Sequence, residues 1–201
     1  MDGAPAAAMR YTEARLSLNA EYILQDLNKK TVGFVPNFDD EEYEPTVLPA
    51  KFPALLANGS TGISAGYATE IPPHNIDELI KGAIYRINHP KCTLDKMMEI
   101  IPGPDFPTGA IIQDNGNLKE AYKTGKAKII LKSKTEIVEG TKCNQIIISE
   151  IPYNVVKSAL VKKMSEVYVA KNIDGVLDIR DESDRHGLRI VVDIKKEANP
   201  E

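Results

Sequence analysis

The residues with the clearest chemical potential come early. Ala7-Ala8-Met9-Arg10-Tyr11-Thr12-Glu13-Ala14-Arg15-Leu16 sets a tyrosine directly after an arginine, ahead of a segment with helical periodicity. A phenol has a reference pKa near ~10, so a nucleophilic tyrosine needs help to lose its proton. A neighbouring cation such as Arg10 supplies it, by stabilising the phenolate or the extra charge on a pentacoordinate phosphorus. The pair alone proves little, because most tyrosines pack with a wet or hydrogen-bonded hydroxyl. A second group is Asn58-Gly59-Ser60-Thr61-Gly62-Ile63-Ser64-Ala65-Gly66. Its small residues let the main chain approach a ligand, and Asn58, Ser60 and Thr61 can bond phosphates without reading sequence. Lys51, a few residues upstream, adds a cation for the same purpose. By composition alone Ile63 reads as a core residue.

Other motifs fail on spacing. Asn58 to Gly62 looks like a phosphate-binding loop but lacks the G-x-x-x-x-G-K-[ST] pattern and its lysine. Asp181, Glu182 and Asp184 look like a cation cluster, but the glycine and closing glutamate of an EF-hand loop are absent. A charged turn is the better reading, and no metal ligand is assigned. His74, His89 and His186 are scattered, with no Ser or Cys partner. Cys92 and Cys143 have no CxxC spacing, which argues against zinc or a disulfide scaffold and suits a reducing cytoplasm.

The ten residues around Tyr11 resemble the active-site tyrosine motif of the A subunits of bacterial type IIA DNA topoisomerases, gyrase and topoisomerase IV. Later segments resemble the same family in the same order: Asn58 to Asn75 (NGSTGISAGYATEIPPHN), Ile101 to Gly109 (IPGPDFPTG), Glu150 to Tyr153 (EIPY), Arg180 to Asp184 (RDESD) and Gly187 to Ile190. The resemblance covers nearly the whole chain, and the GSTGISAGYAT form is closer to topoisomerase IV of Gram-positive type than to gyrase.

The resemblance implies an ATP-dependent enzyme that cuts and reseals double-stranded DNA for chromosome segregation. Tyr11, assisted by Arg10, would attack a backbone phosphorus and form a 5′-phosphotyrosyl link, releasing a 3′ hydroxyl. Ile63 would wedge between base pairs and bend the duplex. Lys51, Asn58, Gly59, Ser60, Thr61 and Gly62 would line the DNA contact. Mg²⁺ and ATP would be supplied through a B-type partner subunit that carries the metal site and the ATPase. The A subunits would form a homodimer within an A2B2 enzyme at the bacterial nucleoid, in the cytoplasm. The implied fold is α+β: residues 1–35 as the remnant of a winged-helix domain, 36–48 as an acidic, proline-containing linker, and 49–201 as a tower domain with a mixed β-sheet flanked by helices. The match begins inside a family domain, so a cropped fragment is expected, inactive by itself. The alternative is a non-catalytic DNA-binding or scaffold module.

The elements that must position these groups follow from periodicity and caps. Thr12 would cap a helix running to about Lys30, with Leu16, Ala20, Ile23 and Leu27 on its apolar face and Glu13 in its first turn. Residues 36–50, with three prolines, read as a loop. Residues 58–66 read as a close-packed loop without regular structure. Asn75 would cap a helix with Glu78 completing a capping box; its apolar face is Ile76, Leu79, Ile80, Ala83, Ile84 and Ile87. Thr93 opens a shorter helix with Met97 and Met98 as core filler. From residue 108, β-rich runs appear at 108–113, 127–138, 145–151, 176–180 and 188–194, with helices at 117–124 and 155–170, and Arg185-His186-Gly187 as a hairpin turn.

Charge sets a further condition. The 201 residues carry 25 Lys and Arg against 29 Asp and Glu, a net −4, so binding to nucleic acid does not follow from total charge. The distribution is uneven: residues 39–44 hold five acidic side chains and no basic one, and residues 119–134 hold six lysines against Glu120. Phosphate binding depends on local cation density, so a DNA contact must use local basic surface. No apolar run approaches the ~20 residues that span a bilayer. Met1-Asp-Gly-Ala-Pro lacks the basic and apolar regions of a secretion signal.

Overall fold

The computed structural model describes residues 7–113 and 116–199; the reading of residues 1–5 against a secretion signal falls outside that range. The chain divides into two compact units, Ala7–Pro104 and the residues from Asp105 onward.

In the first unit, the long helix expected from Thr12 is replaced by shorter pieces. Met9–Tyr11 form a 3-10 turn, and Thr12 closes it, its N–H and its hydroxyl both donating to Met9 O. Helix α1 runs only from Leu18 to Leu24, after Ser17, and a second 3-10 turn spans Leu27–Lys29. Glu13 therefore lies outside any helix. The physical reason is burial: residues 7–19 are exposed, so Leu16 and Leu18 find nothing to pack against. An amphipathic helix draws most of its stability from packing its apolar stripe, and here the stripe has no cover before Ala20. The acidic stretch is also more regular than a loop. Strands β1 (Phe34–Pro36) and β2 (Tyr43–Pro45) pair as a hairpin, and Asn37 Oδ1 accepts the N–H groups of Glu41 and Glu42 at 3.1 and 3.2 Å.

Helix α2 (Ala54–Asn58) leads into the antiparallel pair β3 (Ser60–Ser64) and β4 (Tyr67–Ile71). Helix α3 (Ile76–Asn88) starts as expected: Asn75 Oδ1 accepts from Asp77 N and Glu78 N. Thr93 likewise caps α4 (Leu94–Ile100), accepting from Lys96 N. The two helices meet closely at Gly82, where an added Cβ would lie 2.6 Å from Ile101 and 3.3 Å from Met97. Leu79 is buried, whereas Ile76, Ile80, Ile84 and Ile87 remain exposed, so only one edge of the expected apolar face is used.

The second unit is built on a four-stranded sheet in the order β7-β8-β10-β9, with β7 Lys134–Val138, β8 Asn144–Glu150, β9 Val176–Asp181 and β10 Ile190–Ile194. A mixed sheet was expected; every pairing among the described residues is antiparallel. Strands β8 and β9 are nonetheless parallel, separated by β10 and joined by α6 (Lys157–Val169), a split βαβ unit. One sheet face supplies Ile148 and Ile190, register partners, which with Ile151 pack against Leu160, Val161 and Met164 of α6. On the other face Asp178 and Asp193 stand directly opposite each other, an arrangement of like charges that costs stability unless bridged. Arg180 bridges them, donating to Asp178, Asp193 and Glu182. The secondary pair β5 (Ile111–Gln113) and β6 (Ile130–Lys132) brackets α5 (Asn117–Thr124).

Lys157, in the first turn of α6, meets Asp181 at the end of β9 at 2.8 Å. That ammonium, with Ser183, holds the Asp181 carboxyl down at about 2. A depressed carboxylate contributes stability that is complete above its unfolded value of ~3.9 and is lost as pH falls through the folded value. A Lys157→Met variant is therefore expected to be less stable than the parent at pH 6, by less than about 1 kcal/mol because the pair is partly solvated. Urea midpoints of the two proteins should converge as pH falls to about 2; a gap independent of pH would rule out the ion pair as its source.

Candidate functional site

The β3–β4 hairpin is where the structure departs most usefully from the sequence reading. Ser60 to Ser64 form a regular strand, not an irregular loop. Five register pairs run from Ser60↔Ile71 to Ser64↔Tyr67, and Ala65-Gly66 make the two-residue turn, with Gly66 at φ +81°. Strand periodicity sends Thr61 and Ile63 to one face and Ser60, Gly62 and Ser64 to the other. Ile63 faces only Ala68 across the pair and is 93% exposed. An isoleucine in that state forgoes the ~1.5–3 kcal/mol that burial would bring. Gly62 has open space where a Cβ would stand, so another molecule's backbone can approach it. Tyr67 was not singled out by sequence, yet it is exposed at the same hairpin tip. Its signal was available in its position, directly after the turn glycine.

Gly59 joins α2 to this hairpin. Its φ is +70°, and a Cβ would fall 2.4 Å from Ile71 O and 2.9 Å from Pro73 N. Only glycine fits there, and its role is to seat the hairpin against the Pro72-Pro73 segment. Asn58 is the last residue of α2 and exposed; Ser60 is half-buried and Thr61 exposed. Lys51 is tied to a different place: its Nζ donates to Gln25 Oε1, just after α1. The structure thus places Asn58 at the end of α2, Gly59 at the junction and residues 60 to 63 on β3, and leaves Lys51 engaged beside α1.

Tyr11 is 71% exposed at the end of its 3-10 turn. The Arg10 guanidinium stacks over its ring, Cζ 4.6 Å from the centroid. The cation is thus adjacent to the phenol as expected, held against the ring face by its quadrupole. Among the described residues the backbone of this segment bonds only within itself, Tyr11 N to Ala8 O and Thr12 N to Met9 O. Among the same residues no group of three His, Cys, Asp or Glu side chains is placed to hold a metal ion. The carboxylates at 181–184 are engaged locally: Asp181 by Lys157, Glu182 by Arg180 and Arg189, and Asp184 by His186 N–H. Asp181 ends β9, and an isolated antiparallel bridge between Asp184 and Gly187 closes the turn that follows.

Two substitutions separate the seat from the tip. Gly59→Ala should destabilise by about 1–3 kcal/mol, from left-handed strain and the clash with Ile71 O. Ile63→Ala should leave the unfolding free energy within about 0.5 kcal/mol of the parent, as for an exposed residue. Urea unfolding of both variants checks this; a large loss for Ile63→Ala would make it a core residue after all.

Comparison with known proteins gives the chain its relatives. All of residues 1–201 match the family model for the A subunit of DNA gyrase/topoisomerase IV. The A subunit of DNA topoisomerase 4 from Streptococcus pneumoniae is 61% identical over 203 residues, covering 100% of this chain and 24% of that protein. That of Bacillus subtilis is 57% identical over 201 residues, with 99% and 25% covered, and that of Staphylococcus epidermidis 53% over 204, with 100% and 25%. The chain spans about a quarter of the length of these relatives, and their shared name agrees with the side toward which the GSTGISAGYAT segment leaned. On a match of this extent and identity, the chain belongs to the family of DNA gyrase/topoisomerase IV A subunits.

Proposed function

We propose that the chain is part of the DNA cleavage-religation subunit of a topoisomerase IV-type enzyme, with Tyr11 as the nucleophile. The observation that carries this reading is Tyr11 itself, an exposed phenol with a guanidinium on its ring, inside a ten-residue motif of a family named for acting on DNA. In the proposed step the Tyr11 oxygen bonds to a backbone phosphorus and the bond from phosphorus to the 3′ oxygen breaks. The phenol proton passes to a base outside the described residues, and the 3′ oxygen leaves with the bonding pair and takes a proton from solvent to become a hydroxyl. The phosphotyrosyl link retains the phosphodiester's free energy, so resealing reverses the step without ATP. Arg10 stabilises the charge that develops on the phenol and phosphorus.

The exposed Ile63 supports a wedge role at the bend in the DNA. Inserting an apolar side chain unstacks one base step at a cost of a few kcal/mol, and the bent duplex then meets more protein surface. Gly62 and the hydroxyls of Ser60 and Thr61 serve close, sequence-neutral approach. Mg²⁺ and ATP belong, in this proposal, to a B-type partner subunit of an A2B2 assembly. Asp181 and Glu182 are already engaged by lysine and arginine and Asp184 accepts the His186 N–H, so no cation is assigned to them. Residues 1–35 are proposed as the end of a winged-helix domain, 36–48 as a linker and 49–201 as a tower domain. For the 201 residues by themselves we propose DNA binding without cleavage, because among the described residues no side chain bonds the Tyr11 hydroxyl.

In the complete subunit with its partner, Tyr11→Phe should abolish covalent protein–DNA adducts and leave duplex binding intact. Adducts formed at the normal rate by that variant would remove the central claim. In the same assembly Ile63→Ala should reduce DNA bending, read by energy transfer between duplex ends; unchanged bending would count against the wedge. The isolated 201 residues, incubated with supercoiled plasmid and Mg²⁺, should form no adduct.

A further inference from the structure

Tyr11 stands at the end of one isolated turn. Met9–Tyr11 make the 3-10 turn, and the backbone on both sides of it is extended: Ala8 has φ −58° and ψ 144°, Thr12 φ −124° and ψ 143°. No helix continues the turn, since α1 begins only at Leu18. Residues 7–19 are exposed, so burial does not hold it closed. A lone 3-10 turn is weak by itself. Its hydrogen bonds are poorly aligned, and closing it fixes several torsions for few bonds.

The Tyr11 N–H donates to Ala8 O at 2.9 Å, and Thr12 donates twice to Met9 O, from its N–H and from Oγ1, each at 3.2 Å. The Met9 carbonyl has two lone pairs and can take both donors. Two of these bonds belong to the main chain, and the third comes from a side-chain hydroxyl. A hydroxyl bonded back to a carbonyl three residues earlier is a local device that Ser and Thr supply and other small side chains do not. The branched Cβ of threonine also restricts χ1, so less entropy is lost in holding the hydroxyl there.

The turn carries both groups of the proposed chemistry. Arg10 and Tyr11 lie within it, with the Arg10 Cζ 4.6 Å from the ring centroid. A tyrosine side chain is a rigid ring on a short stem, so its oxygen goes where the main chain directs it. Opening the turn would move the nucleophile and its cation together. Attack in line with a leaving oxygen tolerates little error, and a misplacement of ~1 Å can cost ~10²-fold in rate.

We infer that Thr12 is a positioning residue for cleavage and resealing: its hydroxyl, bonded to Met9 O, fixes the turn that presents the Tyr11 oxygen and keeps Arg10 on the ring. Thr12 acts through Tyr11 and touches none of the reacting atoms. Its role rests on the nucleophilic role proposed above for Tyr11. Resealing returns through the same transition state, so both directions depend on the turn.

The test uses the complete subunit with its partner and measures the single-turnover rate of covalent adduct formation at saturating duplex. The parent is compared with Thr12→Val, which keeps the branched shape and loses the donor, and with Thr12→Ser, which keeps the donor. The Val variant should form and reseal adducts roughly tenfold more slowly, with duplex affinity and urea midpoint equal to the parent's. The Ser variant should recover most of the rate. A Val variant as fast as the parent would overturn the inference, while the parent's adducts leave the role of Tyr11 standing. A Ser variant as slow as Val would overturn it too. So would a loss of rate matched by a fall in duplex affinity or in urea midpoint, which would make Thr12 a DNA contact or a stability residue. A parent that forms no adduct would overturn the role of Tyr11 and this inference with it.

Discussion

One carboxylate governs the second unit. Glu150, at the end of β8, accepts the Ala110 N–H at 2.6 Å and meets Lys134 of β7 at 3.3 Å. The Ala110 amide, with Lys134, lowers its pKa below the usual range, so the group is anionic wherever the protein is folded at neutral pH. Ala110 has φ +80°, a left-handed conformation that a residue with a Cβ keeps only when its surroundings impose it. Gly109 makes room, since a Cβ there would fall 2.2 Å from the same carboxylate. Two segments far apart in sequence, 105–110 and 150–153, thereby meet, and Phe106 and Tyr153 complete the contact with ring centroids 5.4 Å apart. The chain on each side of the contact is fixed in consequence. Strand β5 starts at Ile111, and the lysine-bearing substructure continues from it. Ile151, next after Glu150, joins the core beneath α6.

The groups proposed to act on DNA obey the opposite rule. Ile63 buries almost nothing and Tyr11 little beyond the ring face that Arg10 covers, and each is positioned by backbone geometry. For Ile63 the restraint is the register with β4 and the glycine that seats the hairpin. For Tyr11 it is a single 3-10 turn closed by Thr12. A side chain that must enter a base stack or reach a phosphorus cannot also be part of the protein's core. Its position has to come from the main chain.

That division explains what could be read from the sequence. Elements whose stability comes from their own residues were legible: Asn75 and Thr93 announced their helices by cap chemistry, and the short β-branched apolar runs of β8 and β10 announced strands. The hairpin at 60–71 was not, because both of its faces are exposed and the period-two contrast between apolar and polar residues is missing from Ser-Thr-Gly-Ile-Ser. The helix expected from Thr12 failed for the converse reason: periodicity was present, but nothing covers the stripe before Ala20. The candidate site was legible only as a string. Nothing in the charge, spacing or periodicity around Tyr11 separates it from the other tyrosines; the ten-residue motif does.

Charge is divided as sharply as burial. A net −4 would count against a nucleic-acid partner if charge acted as a sum, but phosphates respond to the field within about one Debye length, ~8–10 Å. The signs are segregated along the chain, five acidic residues in 39–44 and six lysines in 119–134. The acidic run closes on itself in the β1–β2 hairpin, where Asn37 organises the backbone around Glu41 and Glu42. The carboxylates of β9, β10 and the turn between them at Glu182 are neutralised by Arg180, Arg189 and Lys157. Among the described residues Lys123, Lys126, Lys128 and Lys132 form no such pairs, so positive potential is concentrated where the backbone is tightly hydrogen-bonded. An acidic chain of this kind can approach a polyanion in one orientation and repel it in most others, which turns an unfavourable total charge into a means of selecting the docking face.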